Sequence, residues 1–172
     1  MIRSYKEIRP KLGARAWVDA SAQVIGDVEL GEDASVWMNT VVRGDVNRIR
    51  IGARTNVQDG CVLHVTGQHP TTLAEDVTVG HSVTLHGCAI ERLCLIGIGA
   101  IVLNGAVIGE ESIVAAGTLV PEGMVVPARS LVMGTPARVR REVSEDERAS
   151  LRRYAERYVG YKEDYRAAEE DE

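Results

Sequence analysis

Aliphatic residues return along this chain at every sixth position. The series runs Leu12, Val18, Val24, Leu30, Val36 and Val42, pauses across Arg48–Arg50, and resumes at Ile51, Val57 and Leu63. After a loop bounded by Gly67 and Pro70 it returns at Leu73, Val79 and Leu85. It then steps one short to Ile90 and continues through Ile96, Val102, Ile108, Val114, Val120, Val126 and Val132. Small residues take the fourth place after many of these aliphatics: Ala16, Ala22, Ala34, Thr40, Thr55, Cys61, Cys94, Ala100, Ala106, Ser112 and Thr118. Glycine often follows the aliphatic directly, as in Ile51-Gly52 and Ile96-Gly97.

A period of six is not helical, because a helix face repeats every 3.6 residues. It suits short strands joined by tight corners, and hexapeptide repeats are a signature of parallel β-helices. Three hexapeptides close one triangular coil, so residues about eighteen apart stack and the aliphatics form an inward column on each side of the prism. A β-sandwich would need the whole in-phase series to be coincidence. The expected architecture is therefore an all-β parallel β-helix over residues 1–140, including an N-terminal lead-in.

After Pro136 the hexapeptides stop and charge density rises. Ser144 and Glu147 form a capping box, in which the hydroxyl accepts from an early helix N–H and the carboxylate reaches back to the cap. Leu151, Tyr154, Tyr158, Tyr161 and Tyr165 follow at three- and four-residue steps, predicting a C-terminal α-helix whose apolar stripe lies lengthwise on the prism. Gly160 lies off that stripe. Residues 141–172 are thus read as this helix and a frayed tail, forming one structural domain with the coils.

Composition narrows the picture. Phe is absent and aromatics are only 4%, so the core is built from small branched side chains in a narrow interior. The net charge is -5 and no basic cluster is interleaved with aromatics, which gives no footprint for nucleic acid. The longest apolar run, near Leu93–Leu103, is broken by Gly97 and Gly99 and is too short to span a bilayer. The first residues lack the apolar region of a signal peptide. Three cysteines, an odd and low count, suit a reduced cytoplasm better than a disulfide framework. Cys61 and Cys94 fall at interior small-residue positions, and Cys88 is not expected to be a ligand.

All four histidines lie between Leu63 and Cys88. His64 directly follows Leu63 and His86 directly follows Leu85, so both occupy the same outward phase. They are 22 residues apart, one coil plus an excess that the Gly67–Pro70 loop absorbs. Stacked strands lie ~4.8 Å apart, a gap that two imidazoles can bridge through one metal with bonds of ~2.0–2.1 Å. His81, two residues beyond Val79, belongs to the preceding side of the triangle. It can join the other two only across an interface with a second copy, and threefold symmetry would make three identical sites. Gln58 follows Val57, and Arg43 follows Val42, in the same outward phase as His64. Gln58 is therefore a candidate to hydrogen-bond a metal-activated hydroxide, and Arg43 to pair with Asp59 across the interface or to hold bicarbonate.

Arg43-Gly44-Asp45, Asn56-Val57-Gln58-Asp59-Gly60, His64, and Gly80-His81 with His86-Gly87 together resemble γ-class carbonic anhydrases and their bacterial relatives, over roughly residues 5–165. Some of those relatives have been labelled ferripyochelin-binding or hexapeptide-transferase-like proteins. The resemblance implies a left-handed hand for the β-helix, a homotrimer, and zinc (or iron or cobalt) held between subunits, with carbon dioxide and bicarbonate as substrates. It implies His64 and His86 as ligands from one subunit and His81 from the next. It places Arg43 and Asp45 in interface and substrate-orienting networks, has Asn56, Gln58 and Asp59 line or support the site, and sets Tyr158 near it. Structural readings stand beside these: a trimer salt bridge for Arg43, Asp45 and Asp59, and plain helix packing for Tyr158. Unlike the archaeal enzymes it resembles, which carry a glutamate proton shuttle in an acidic loop, this chain has no acid from Val65 to Leu73. His69 is a candidate substitute or a solvated loop residue. A metal-binding scaffold of low turnover, or an acyltransferase or thioesterase using coenzyme A, are the competing readings.

Overall fold

The chain folds as a left-handed parallel β-helix of about seven coils with one C-terminal helix. The structure is a computed structural model and describes residues 1–170, with side chains through residue 168. Strands mostly two or three residues long stack in parallel register on three faces. The first face stacks Val24, Val42, Leu63, Leu85, Val102 and Val120. The second stacks Leu12, Leu30, Ile51, Leu73, Ile90, Ile108 and Val126. The third stacks Val18, Val36, Val57, Val79, Ile96, Val114 and Val132. From the second coil onward these aliphatics are buried, with Ala22, Ala34, Cys61, Ala100 and Ala106 filling the space between them. The three columns are the core, and a fully buried aliphatic of this size stabilises by about 1.5–3 kcal/mol.

The departures from period six in the aliphatic series all fall at one corner. The steps from Val42 to Ile51, Leu63 to Leu73 and Leu85 to Ile90 each pass from the first face to the second. Two long strands, Gln23–Leu30 and Val41–Ile51, run through this corner, with a register shift between Gly26 and Val28. Val28 and Ile49 turn inward there and are buried, two core positions that a strict six-residue scan passes over. Among the extra residues beyond Val42 and Leu63, Val46, Arg48, Gly67 and Gln68 are exposed at this corner.

At the far end, Ser130–Met133 pairs with Arg138–Glu142 in an antiparallel hairpin, so the chain reverses before the helix. The helix, Glu145–Glu170, starts as the capping box predicts: the Ser144 N–H donates to Glu147 at 2.8 Å and the Glu147 N–H donates to Ser144 Oγ at 3.3 Å. It runs back along the third face, from an ion pair between Arg148 and Glu111 at 2.8 Å to one between Lys162 and Asp33 at 2.9 Å. The expected fraying begins no earlier than Glu170, and the rest of the predicted tail lies outside the described residues.

The apolar stripe differs from the expected one. Tyr154, Tyr161 and Tyr165 are exposed, whereas Leu151, Ala155 and Lys162 are buried and Tyr158 is partly so. Steps of four, three and four residues hold one helix face inward, and that face includes a lysine because Asp33 and Glu163 neutralise it. Tyr165 nevertheless packs its ring on Trp17 and Trp37, at centroid distances of 5.7 and 5.4 Å.

Two outcomes follow. Hydrogen bonds from Arg141, with that from the Ser144 N–H, pull the Glu147 carboxyl from 4.5 down to about 2. Its stabilising effect is complete above the ordinary carboxylate range and is lost as pH falls through about 2. Thermal melts should therefore show Glu147→Gln less stable than wild type at pH 7, with the gap closing between pH 4.5 and about 2. A Cβ added at Gly160 meets nothing within 4 Å. Gly160→Ala should raise stability by about 0.5–1 kcal/mol in denaturant titrations, because the unfolded chain loses freedom.

Candidate metal centre

The stacking register sets His86 directly over His64 on the first face, at the corner where the repeat is broken. Each histidine follows an inward leucine, so its own side chain must turn outward. The rings lie 5.0 Å apart between centroids, and His64 Nδ1 faces His86 Nε2 at 3.0 Å. The backbone beneath them is tied together. Thr71, fully buried, donates its hydroxyl to the His64 carbonyl at 2.6 Å and accepts from the Gly87 N–H at 2.9 Å. Gly87 itself has φ +59, and a Cβ there would come within 2.8 Å of Asn104 Oδ1 and of the His69 Cβ. Glycine is required by both the turn and the close approach.

The outer nitrogen of each ring is engaged. His64 Nε2 meets Asp45 Oδ1 at 3.0 Å, and Asp45 also receives a hydrogen bond from Arg43. Burial pushes the Asp45 carboxyl up, but hydrogen bonds from His64 and Arg43 outweigh it and hold the group below its ordinary value. His86 Nδ1 meets Asn104 Oδ1 at 2.7 Å. An imidazole that donates its outer N–H to an oxygen presents a lone pair on its inner nitrogen. Two such lone pairs 3.0 Å apart repel unless a proton or a cation lies between them. The donor set therefore fits a metal that favours imidazole.

His81 is elsewhere. It sits at the turn from the third face to the first, with its Nδ1 3.0 Å from Asp59 Oδ2, and it is about half exposed. Among the described residues, no group of three or more His, Cys, Asp or Glu side chains in a single chain is placed to hold a metal ion. Asp59, His81 and Tyr158 line one cavity of about 250 Å³, walled also by Trp37 and Tyr161. Trp37 meets Tyr158 edge-on at 5.3 Å. Burial, with Asp59 and Tyr161 nearby, pushes the Tyr158 phenol up, so it stays protonated at neutral pH.

Gln58 and Arg43 lie on different faces. Gln58 is in phase with His64 but on a different face: it lies on the third face, buried, and its amide N–H donates to Asn56 Oδ1 at 3.1 Å. Asn56 in turn donates to Thr78 Oγ1 at 3.0 Å. Within one chain neither reaches the His64–His86 pair; both belong with the His81 half. Arg43 pairs with Asp45 in its own chain. The phase argument tells inward from outward but does not say which face. Asn104, absent from the sequence reading, was signalled by its spacing, eighteen residues beyond His86.

No family model matches this chain. Protein YrdA of Escherichia coli is 46% identical over 96% of this chain and 94% of its own. A carbonic anhydrase of Geobacillus kaustophilus is 44% identical over 99% of this chain and 93% of its own. The chain belongs to the γ-class carbonic anhydrase family. Among solved structures, the product of the BC4754 gene of Bacillus cereus, described provisionally as an acetyltransferase, superposes with a TM-score of 0.96 at 45% identity, covering 98% of both chains. The family thus joins relatives at similar identity whose names differ in the activity they state.

Cys61, Cys88 and Cys94 are free and buried, and burial pushes each thiol up to about 12. Cys88 joins the core while its neighbour His86 points outward, so it takes no part in the centre. Because the thiolate is the reactive form, native protein at pH 8 should resist alkylation by iodoacetamide, and unfolded protein should take up three equivalents by mass spectrometry.

Proposed function

We propose that this chain hydrates carbon dioxide reversibly, giving bicarbonate and a proton, at sites shared between neighbouring copies of a homotrimer. His64 and His86 of one copy and His81 of the next would hold zinc, or iron or cobalt. The observation that carries this reading is the facing pair of inner nitrogens at 3.0 Å, with both outer nitrogens already engaged. A divalent metal bound by three imidazoles with one position open lowers the pKa of water towards ~7 and so supplies a nucleophile at neutral pH.

The chain's own residues do the rest. Arg43 and Asp45 fix His64 from one copy. Asp59 accepts from His81 and orients it from the other, with Asn56 and Gln58 bracing the strand beside it. Tyr158, protonated, offers a hydrogen-bond donor at the rim of the same cavity. The surface between the two half-sites supports the trimer. Outward on the first face, Val41, Val62, Thr84, Ile101 and Leu119 stack in register as a largely aliphatic stripe, and Val62 and Ile101 are exposed in the single chain. The stripe runs between the His81 edge and the His86 edge, so a copy packed on it would bring the two halves together.

A metal-binding scaffold of low turnover is the second reading, favoured by the absence of any acid from Val65 to Leu73 that could carry the product proton away.

Purified trimer should contain about one transition metal per subunit, as threefold symmetry requires. His81→Ala should lose it while keeping its circular dichroism. A monomer in light scattering, or metal retained in full by His81→Ala, contradicts the shared site. Oxygen-isotope exchange between carbon dioxide and water, run on metal-replete trimer, should exceed the buffer rate and fall to it in His81→Ala. Exchange at the buffer rate in the wild-type protein would leave the scaffold reading.

A further inference from the structure

The two stacked histidines are held differently. His64 leans on a carboxylate, which can only accept a proton. His86 leans on Asn104, whose side chain has an accepting end and a donating end of nearly the same shape. Which end faces His86 matters. If the carbonyl faces it, His86 carries its proton on Nδ1 and its lone pair on Nε2, the atom directed at His64. If the amide nitrogen faces it, the proton moves to Nε2 and the inner lone pair is lost.

Something must choose between the two rotamers, and the next coil supplies it. Asn104 Nδ2 donates to Glu122 Oε1 at 2.7 Å, while Asn104 Oδ1 lies 2.7 Å from His86 Nδ1. Each step is eighteen residues, one coil. The Glu122 carboxylate only accepts, so it captures the donating end of Asn104 and turns the carbonyl towards His86. The corner is shaped for this. Asn104 Oδ1 fills the space left by the missing Cβ of Gly87, where a Cβ would come within 2.8 Å of it.

The geometry points to Glu122 and Asn104 as positioning residues: a two-link relay, running up the corner of the prism, that sets the tautomer of His86 and so the readiness of its Nε2 to bind a metal. The link to metal affinity rests on the proposed metal centre; the tautomer does not.

Both can be measured. In metal-free trimer carrying His64→Ala, so that no second lone pair faces His86 Nε2, and with 15N-labelled histidine at a pH of about 8.5, above the ordinary imidazole range, nitrogen chemical shifts should show His86 protonated on Nδ1. Asn104→Leu and Glu122→Ala should give mixed tautomers. Glu122→Gln, whose amide can donate as well as accept, no longer makes the choice and should give mixed tautomers too. Zinc competition with a chromogenic chelator should show Kd raised 10–100-fold in Asn104→Leu, as for other partners that orient ligands. Glu122→Ala and Glu122→Gln should each raise it by about 10-fold. If Asn104→Leu does not assemble, the surface variant Glu122→Ala still decides the matter. The relay is overturned if His86 carries its proton on Nε2 in the His64→Ala trimer, or if its tautomer is unchanged when Glu122→Ala is added to that folded trimer. A wild-type protein that binds no zinc overturns the metal centre instead, while the nitrogen shifts still judge the relay.

Discussion

Each coil of this molecule rests on the one below through main-chain hydrogen bonds, and these run nearly unbroken along all three faces. The ladder leaves a coil no freedom to slide, because a one-residue slip would turn every inward aliphatic outward. Side chains one coil apart are therefore held in contact whatever their chemistry. In the core this makes columns of Val, Ile and Leu. On the surface it makes columns of charge, such as Arg54 against Asp76 at 2.6 Å and Arg92 against Glu110 at 2.8 Å. At one corner it makes a column of His64, His86, Asn104 and Glu122.

That corner is where the repeat fails to keep its period. The stacked pair of histidines has additional chain around it. The insertions after Val42 and Leu63 provide it: the first brings Asp45 to His64, and the second brings Thr71 beneath both histidines. The shortened step after Leu85 draws Gly87 close enough to make room for Asn104. The His64–His86 pair thus sits on the irregular corner and His81 on a regular one, and the ladder on either side fixes the position of each.

The helix shows how far local pattern can mislead. A stripe of tyrosines at helical spacing reads as an apolar face, yet the line that is buried includes Lys162. The lysine is tolerated because it reaches Asp33, which also pairs with Arg15 from the coil below. Here the partner lies more than a hundred residues away, and no feature near Lys162 in the chain announces it.

Much of the fold was legible because the repeat is a one-dimensional signal: an aliphatic every sixth residue names the inward positions, and the capping box at Ser144 and Glu147 names the start of the helix. The pairing of His64 with His86 was legible for the same reason, since phase and spacing are counted along one chain. Phase alone separates inside from outside but leaves the face open: Gln58 shares the phase of His64 and lies on another side of the prism. The partners of the histidines were less accessible still. Asn104 and Glu122 are ordinary polar residues in sequence; their eighteen-residue steps put them in the column of His86 but do not say which of their atoms meet it. The sequence by itself determined the coil, its core and the stacked pair of imidazoles, because these depend on period. The tertiary structure decided which corner each group occupies and what holds it there, because those depend on contacts between coils that period does not specify.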